Sequence, residues 1–216
     1  MNVSSLVVGA FEENCWLLHD PARAEAVLID PGEEPVRLCT AIERLGARLV
    51  AIWLTHGHLD HIGGIEGVRR AWPGVPVHLH PADLPVYENG SRAAAVYGLP
   101  FEQPAPPEHA LADGQVLEFA GERFTVHHLP GHSPGSVAFI SGAHCFSGDV
   151  LFAGSVGRSD LPLSDPDALQ ASLERMRALP AHLVVHPGHG PETTIGDEAA
   201  SNPFLTGLAR VARRRP

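Results

Sequence analysis

The first thirty residues alternate short apolar segments with turn residues. Leu6-Val7-Val8, Cys15-Trp16-Leu17-Leu18 and Ala26-Val27-Leu28-Ile29 are each too short for a helix. They predict a meander of strands that ends at Asp30-Pro31-Gly32. The period then changes. Over residues 35–45 the apolar positions Val36, Leu38, Ile42 and Leu45 share a helical face, and Gly46 supplies a stop. Leu49–Leu54 is a continuous apolar run and predicts a buried strand. After a polar, histidine-rich loop, a helical pattern covers 64–72, and Pro76–His80 reads as another strand.

From Pro81 to Pro107 the period weakens. The stretch holds Tyr87, Tyr97 and a run of prolines from Pro100 onward, and it predicts a short helix followed by an irregular arm. Long irregular segments often form the lid or mouth of a site, which is the role expected of this one. Strands resume at 115–119, 123–129, 136–140 and 144–147. Residues 165–179 form an amphipathic helix, and Leu183-Val184-Val185 is a last strand. No repeat or linker divides the chain, so one domain over 1–216 is expected.

Composition narrows the function classes. A hydrophobic share of 44% and a charged share of 19% are ordinary for a soluble protein, and this length can bury a core without disulfides. Cys15, Cys39 and Cys145 are odd in number, widely spaced and set among apolar residues. They read as reduced packing residues of a cytoplasmic protein. The N-terminus has no basic segment leading into an apolar run, and no stretch approaches the ~20 apolar residues of a membrane span. The net charge is −10 and every cationic side chain is arginine, a poor footprint for nucleic acid. The Arg213-Arg214-Arg215 run is too short to change this and reads as a solvated tail. The expected partner is a small molecule, and an anionic one remains suited if metal ions supply the positive charge.

The chemistry is concentrated in Thr55-His56-Gly57-His58-Leu59-Asp60-His61, where imidazoles and a carboxylate crowd the carboxyl end of a strand. This donor set suits Zn²⁺, Fe or Mn²⁺ without cysteine. Three further segments each place one ligand type in a glycine-containing turn just after a strand. They are Gly131-His132-Ser133-Pro134-Gly135, Ser147-Gly148-Asp149 and Pro187-Gly188-His189-Gly190. Glycine there lets backbone approach closely.

Taken together, the order and spacing of these segments resemble the metallo-β-lactamase superfamily, and Asp30-Pro31-Gly32 matches its first motif. The resemblance implies an α/β fold, a four-layer αββα sandwich. It also implies one metal on His56, His58 and His132, a second on Asp60, His61 and His189, and Asp149 bridging the two. Asp30 would steady a ligand histidine from behind, and Asp60 would also orient the nucleophile. The implied chemistry is hydrolysis by a hydroxide held between two divalent ions, zinc first, with iron or manganese also suited. His186 falls outside the motif. His127 and His128 read as structural or supporting residues.

Within the superfamily, His58 in place of a carboxylate argues against an oxygen-reducing di-iron site. Asp149 in place of cysteine argues against the best-known zinc β-lactamases. The closest resemblance is to the glyoxalase II-like, or hydroxyacylglutathione hydrolase-like, group. It is carried by Phe152–Asp160, Thr193–Glu198 and Asn202-Pro203-Phe204. It implies an anionic thioester substrate, with Arg158 meeting a substrate carboxylate. Too few residues follow His189 for that group's helical glutathione-binding domain, and Gly190-Pro191-Glu192 lacks the aromatic residue expected there. Weak glutathione binding is expected. The alternatives are a mononuclear iron persulfide dioxygenase of the same superfamily, using His56, His132 and Asp149, and a non-catalytic metal-binding protein.

Overall fold

The structure, a computed structural model, describes residues 1–211; the Arg213–Arg215 tail lies outside the described residues. The expected meander forms as β1 (Asn2–Val8), β2 (Glu13–Asp20) and β3 (Glu25–Ile29), each antiparallel to the next. Helix α1 (Pro35–Arg44) then carries the chain over the sheet, so β4 (Arg48–Trp53) enters parallel to β3. Next come α2 (Leu59–Ile62), α3 (Ile65–Ala71), β5 (Val77–Leu79) and a 3₁₀ turn at Pro81–Asp83. Helices α4 (Leu84–Glu88) and α5 (Gly90–Tyr97) lead to β6 (His109–Ala110). The first sheet runs β1-β2-β3-β4-β5-β6.

The second half builds β7 (Val116–Phe119), β8 (Glu122–His128), β9 (Val137–Ser141) and β10 (His144–Gly148), antiparallel in sequence. A small ribbon of β11 (Leu151–Phe152) and β12 (Ser155–Val156) precedes α6 (Pro166–Arg177). Strand β13 (Val184–Pro187) then lies parallel to β10, followed by β14 (Thr193–Thr194) and α7 (Ile195–Ser201). The second sheet runs β14-β13-β10-β9-β8-β7.

Strand alternation explains the layering, because successive side chains point to opposite faces. In β2, Trp16 and Leu18 join Phe124, Val126, Phe139 and Phe146 in a core between the two sheets. Their neighbours Cys15 and Leu17 face outward to Leu38 and Ile42 of α1 and Val68 of α3. In the second sheet, Ala138 and Cys145 face Leu169, Leu173 and Met176 of α6. Three cores between four layers make the αββα sandwich that the sequence implied.

Several details depart from the sequence reading. Of the four apolar positions expected to share a face of α1, Leu38 and Ile42 are buried in the core, whereas Val36 and Leu45 are exposed. The helix expected over 64–72 is α3, preceded by α2, so Asp60 and His61 stand on a helical turn rather than in a loop. The 81–107 stretch holds two helices, not one. The Ala93-Ala94-Ala95 run favours α5, and Gly98 ends it in the left-handed conformation. No helix among the described residues is long and apolar enough to cross a membrane. The three cysteines are unpaired, with Cys15 and Cys145 buried.

Candidate metal centre

The candidate ligands emerge where strands end. His56 and His58 follow β4, His132 follows β8, Asp149 follows β10 and His189 follows β13. Both sheets therefore direct ligand types to one rim of the sandwich. Ligand atoms of His56, His58 and His132 lie within 4.8 Å of one another, and so do those of Asp60, His61 and His189. Asp149 stands between the two sets. Its Oδ2 is 3.5 Å from His132 Nε2 and 3.6 Å from His189 Nε2, while Oδ1 is 3.5 Å from His61 Nε2. His189 Nε2 is 3.3 Å from Asp60 Oδ2. Metal–ligand bonds of about 2.0–2.1 Å in a tetrahedron place neighbouring ligand atoms roughly 3.3–3.4 Å apart, which is the spacing seen here.

Hydrogen bonds fix which ring nitrogen is bare. The Thr55 hydroxyl donates its one proton to Asp30 Oδ2 at 2.6 Å, so its 3.0 Å contact with His56 must have Nδ1–H as donor. His61 Nδ1 donates to Asp30 at 3.1 Å, His132 Nδ1 to the Arg158 carbonyl at 2.9 Å, and His189 Nδ1 to the Phe11 carbonyl at 3.0 Å. In all four, Nε2 is the nitrogen that faces the centre; it is bare in the neutral rings of His56 and His132, and on His61 and His189, whose pKa values are raised, a metal ion would displace its proton. His58 faces it through Nδ1, 2.9 Å from His132 Nε2. His56 Nε2, His61 Nε2 and Asp149 Oδ1 are buried with no hydrogen-bond partner among the described residues. Buried acceptors aimed at a common point fit divalent cations. Asp30 also lies close to His56 and His61, but it contacts the ring edge opposite His61 Nε2, so it braces the set from behind.

Electrostatics agree with this division. Burial, with the neighbouring histidines, holds His56 well below the usual imidazole range, pushes His58 down to about 3 and pushes His132 down to about 4. These rings are neutral and ready to ligate. Burial opposes charge on His61 too, but Asp149, Asp60 and Asp30 outweigh it and hold the ring at about 10. Burial likewise opposes charge on Asp60, yet His61 and His189 keep that carboxyl well below its usual range. Burial raises Asp149.

Gly188 shows why glycine flanks His189. A Cβ there would run into Asp149 Oδ1 and lie 2.8 Å from His61 Cε1.

Two acidic residues at the centre escaped the sequence reading. Asp83 is fully buried and accepts from Gly57 N at 2.6 Å, Ser133 Oγ at 2.8 Å and Gly135 N at 2.5 Å. It joins the loop of His56 and His58 to the loop of His132. Glu13 is buried beside His61, its Oε1 3.8 Å from Nδ1, and burial together with Asp30, Asp60 and Asp149 pushes its carboxyl well up. Isolated acidic residues in strands and turns default to the surface in any sequence reading, so only an unexplained acid beside an apolar run could have flagged them.

The other predicted residues are placed as follows. Arg158 lines the cavity, but its guanidinium is held by Asp160 through Nε at 2.6 Å and Nη2 at 2.9 Å. His186 bonds Glu192 and His144 instead of joining either set. His128 donates to the Pro134 carbonyl in the His132 turn. A cavity of about 900 Å³ opens over the centre and reaches His58, His132, Asp149 and His189. The 81–107 stretch divides here. Its helices α4 and α5 wall this cavity, whereas Gln103, Pro104, Pro106 and Pro107 line a separate small pocket behind them.

Comparisons with known proteins converge on one family. The sequence model of the metallo-beta-lactamase superfamily matches residues 8–189. Hydroxyacylglutathione hydrolase GloC of Haemophilus influenzae is 39% identical over 211 residues, spanning 95% of this chain and 98% of the relative. Among solved structures, TTHA1623 in a di-iron-bound form is 48% identical with a TM-score of 0.86, covering 94% of this chain and 100% of its own. The BLEG-1 B3 metallo-beta-lactamase is 38% identical with a TM-score of 0.88, covering 95% and 100%.

Proposed function

The chain belongs to the metallo-β-lactamase superfamily, and from that membership we propose that it is a thioester hydrolase working at a pair of divalent metal ions. The observation that carries the reading is Asp149, whose two oxygens face His132 and His189 on one side and His61 on the other. A carboxylate shared between two ligand sets would take that placement. The first set is His56, His58 and His132; the second is Asp60, His61 and His189. When bound, the ions would acidify a water between them and polarise the substrate carbonyl.

The chain's own groups do the rest. Asp60 stays ionised and can accept a hydrogen bond from the attacking water, orienting it. Asp30 and Thr55 hold His61 and His56 in the tautomers that present Nε2. In the reaction a C–O bond forms from water, the C–S bond breaks, and a proton of that water ends on the departing sulfur or in solvent. Thioesters ask least of this site, because a thiol of pKa about 8.5 leaves as thiolate without a strong acid. Beyond the metal-facing residues, no carboxyl or imidazole among the described residues lines the cavity to protonate an amine. The resemblance to GloC supports the same substrate class.

Zinc is the proposed metal; the di-iron form of TTHA1623 supports iron as an occupant of the same donors. A single domain acting in the cytoplasm belongs to the same proposal, the location resting on the three unpaired cysteines.

The test combines metal analysis with a substrate panel of S-D-lactoylglutathione, other thioesters, a β-lactam and glutathione persulfide with oxygen uptake. Two ions per chain and thioester turnover with high KM are expected, and Asp149→Ala should abolish both. One iron per chain with oxygen consumption and no thioester turnover would transfer the assignment to the persulfide dioxygenase. β-Lactam turnover alone would transfer it to BLEG-1-like chemistry.

A further inference from the structure

The wall of the cavity is chemically unlike its floor. Helix α5 has two apolar faces. Ala94 is buried inward, while Ala93, Val96 and Tyr97 line the cavity at helical spacing. Val96 is 80% exposed and Tyr97 52% exposed, so much of the outer face is open to the cavity. Phe11 meets the Tyr97 ring edge-on at 5.2 Å and holds it upright. Phe152, Val156, Leu161 and Leu163 line the same cavity. Leu163 is 58% exposed and held at φ 67, a left-handed conformation costly for leucine. The strained backbone presents an apolar side chain to the cavity, where a ligand could use it.

Charge at the rim is equally selective. Two guanidiniums line the cavity, Arg92 and Arg158. Asp160 holds Arg158 in a two-pronged ion pair, whereas Arg92 on α5 has no acidic partner among the described residues. What sets Arg92 apart is its place on the cavity wall, where an unmatched cation beside an apolar trough suits an anionic group of a ligand. The volume of about 900 Å³ lies near the top of the roughly 300–1,000 Å³ range for ligand pockets, far more than a small hydroxyacyl group fills.

We infer that the cavity accepts thioesters with a long apolar or aryl acyl chain, packed between α5 and the 152–163 segment, whose thiol carrier presents a carboxylate to Arg92. This substrate class rests on the thioesterase reading above. Arg92 is then the residue that selects the carrier, and Val96, Tyr97 and Leu163 select the acyl group.

Binding separates the two ideas, because thioethers cannot be hydrolysed. Affinities of the metal-loaded protein for S-methyl-, S-butyl-, S-octyl- and S-benzylglutathione would be measured by calorimetry, beside S-octyl-N-acetylcysteamine, which has no carboxylate. Kd should tighten about three- to fourfold per methylene along the alkyl series. Val96→Asp should weaken the octyl ligand at least tenfold while leaving the methyl ligand within twofold. Arg92→Gln should weaken every glutathione thioether about tenfold and leave the cysteamine thioether unchanged, with metal content intact in both variants. Chain-length-independent affinity, or equal loss on carboxylate-bearing and carboxylate-free ligands, would overturn the inference even if lactoylglutathione is hydrolysed. The expected binding pattern without turnover of any thioester would overturn the hydrolase reading and leave the ligand preference standing.

Discussion

At the scale of single residues, Asp83 stands out because three donors from two loops converge on one buried carboxyl. Hydrogen bonds to a charged group contribute about 1.5–3 kcal/mol each. Asp83→Ala should therefore destabilise the metal-free protein by more than about 3 kcal/mol and loosen the first metal site, while Asp83→Asn should recover part of the stability. Urea unfolding and a cobalt titration read the two effects; wild-type cobalt affinity in Asp83→Ala would show that the loops are held by something else. Histidine titration gives a second expectation. Burial lowers His78 and His186 from an ordinary 6.5 to about 4, and His132 likewise. A histidine depressed in the folded state binds its proton more readily when unfolded. Its stability contribution is thus complete above about pH 6.5 and is lost as pH falls toward about 4. Chelated protein should show its urea midpoint falling across that window, and His186→Gln, which removes one metal-independent ring, should flatten the fall.

At the scale of elements, a turn can be tested through its glycines. Gly188→Ala drives a methyl group into Asp149 and His61, and should weaken the second metal site at least tenfold with the sandwich intact. Gly190 has positive φ but open space around it, so Gly190→Ala should cost about 1 kcal/mol of stability and spare the metal. Equal metal loss in both variants would point to backbone strain rather than collision. The same scale shows what the sequence disclosed. Strands β2, β3, β4, β9 and β10 were legible because continuous apolar runs are what a strand buried on both faces requires. His56, His58, His132, Asp149 and His189 were legible because each lies just past the end of a strand, which is why the structure gathers them on one rim. Strands β6, β11, β12 and β14 were not, since two residues carry no period and their pairing is set by the longer strands beside them. Helix α2 was hidden by its own chemistry, as Asp60 and His61 interrupt any apolar pattern. Glu13 and Asp83 were hidden because a buried acid is recognisable only from its partners.

At the scale of the molecule, the candidate centre lies on the seam between the sheets. His56, His58, Asp60 and His61 come from the first half, and His132, Asp149 and His189 from the second. Metal that binds only the native arrangement stabilises it by mass action, about 2.7 kcal/mol per site at a hundredfold excess over Kd. The Tm should climb with free zinc and drop with chelator, whereas Asp149→Ala should respond weakly to either. Chain distances add something further. His58 and His132, 74 positions apart, touch at the seam, and His189 bonds Phe11 across 178 positions. An ion shared by such distant segments acts as a removable staple, like a disulfide whose redox partner is the metal supply. Were the supply to fail, the three apolar cores would keep their packing, and the first part to come undone would be the rim where the staple sat. Limited proteolysis of chelated protein should therefore cut first at this rim, the very place where the chain would have worked.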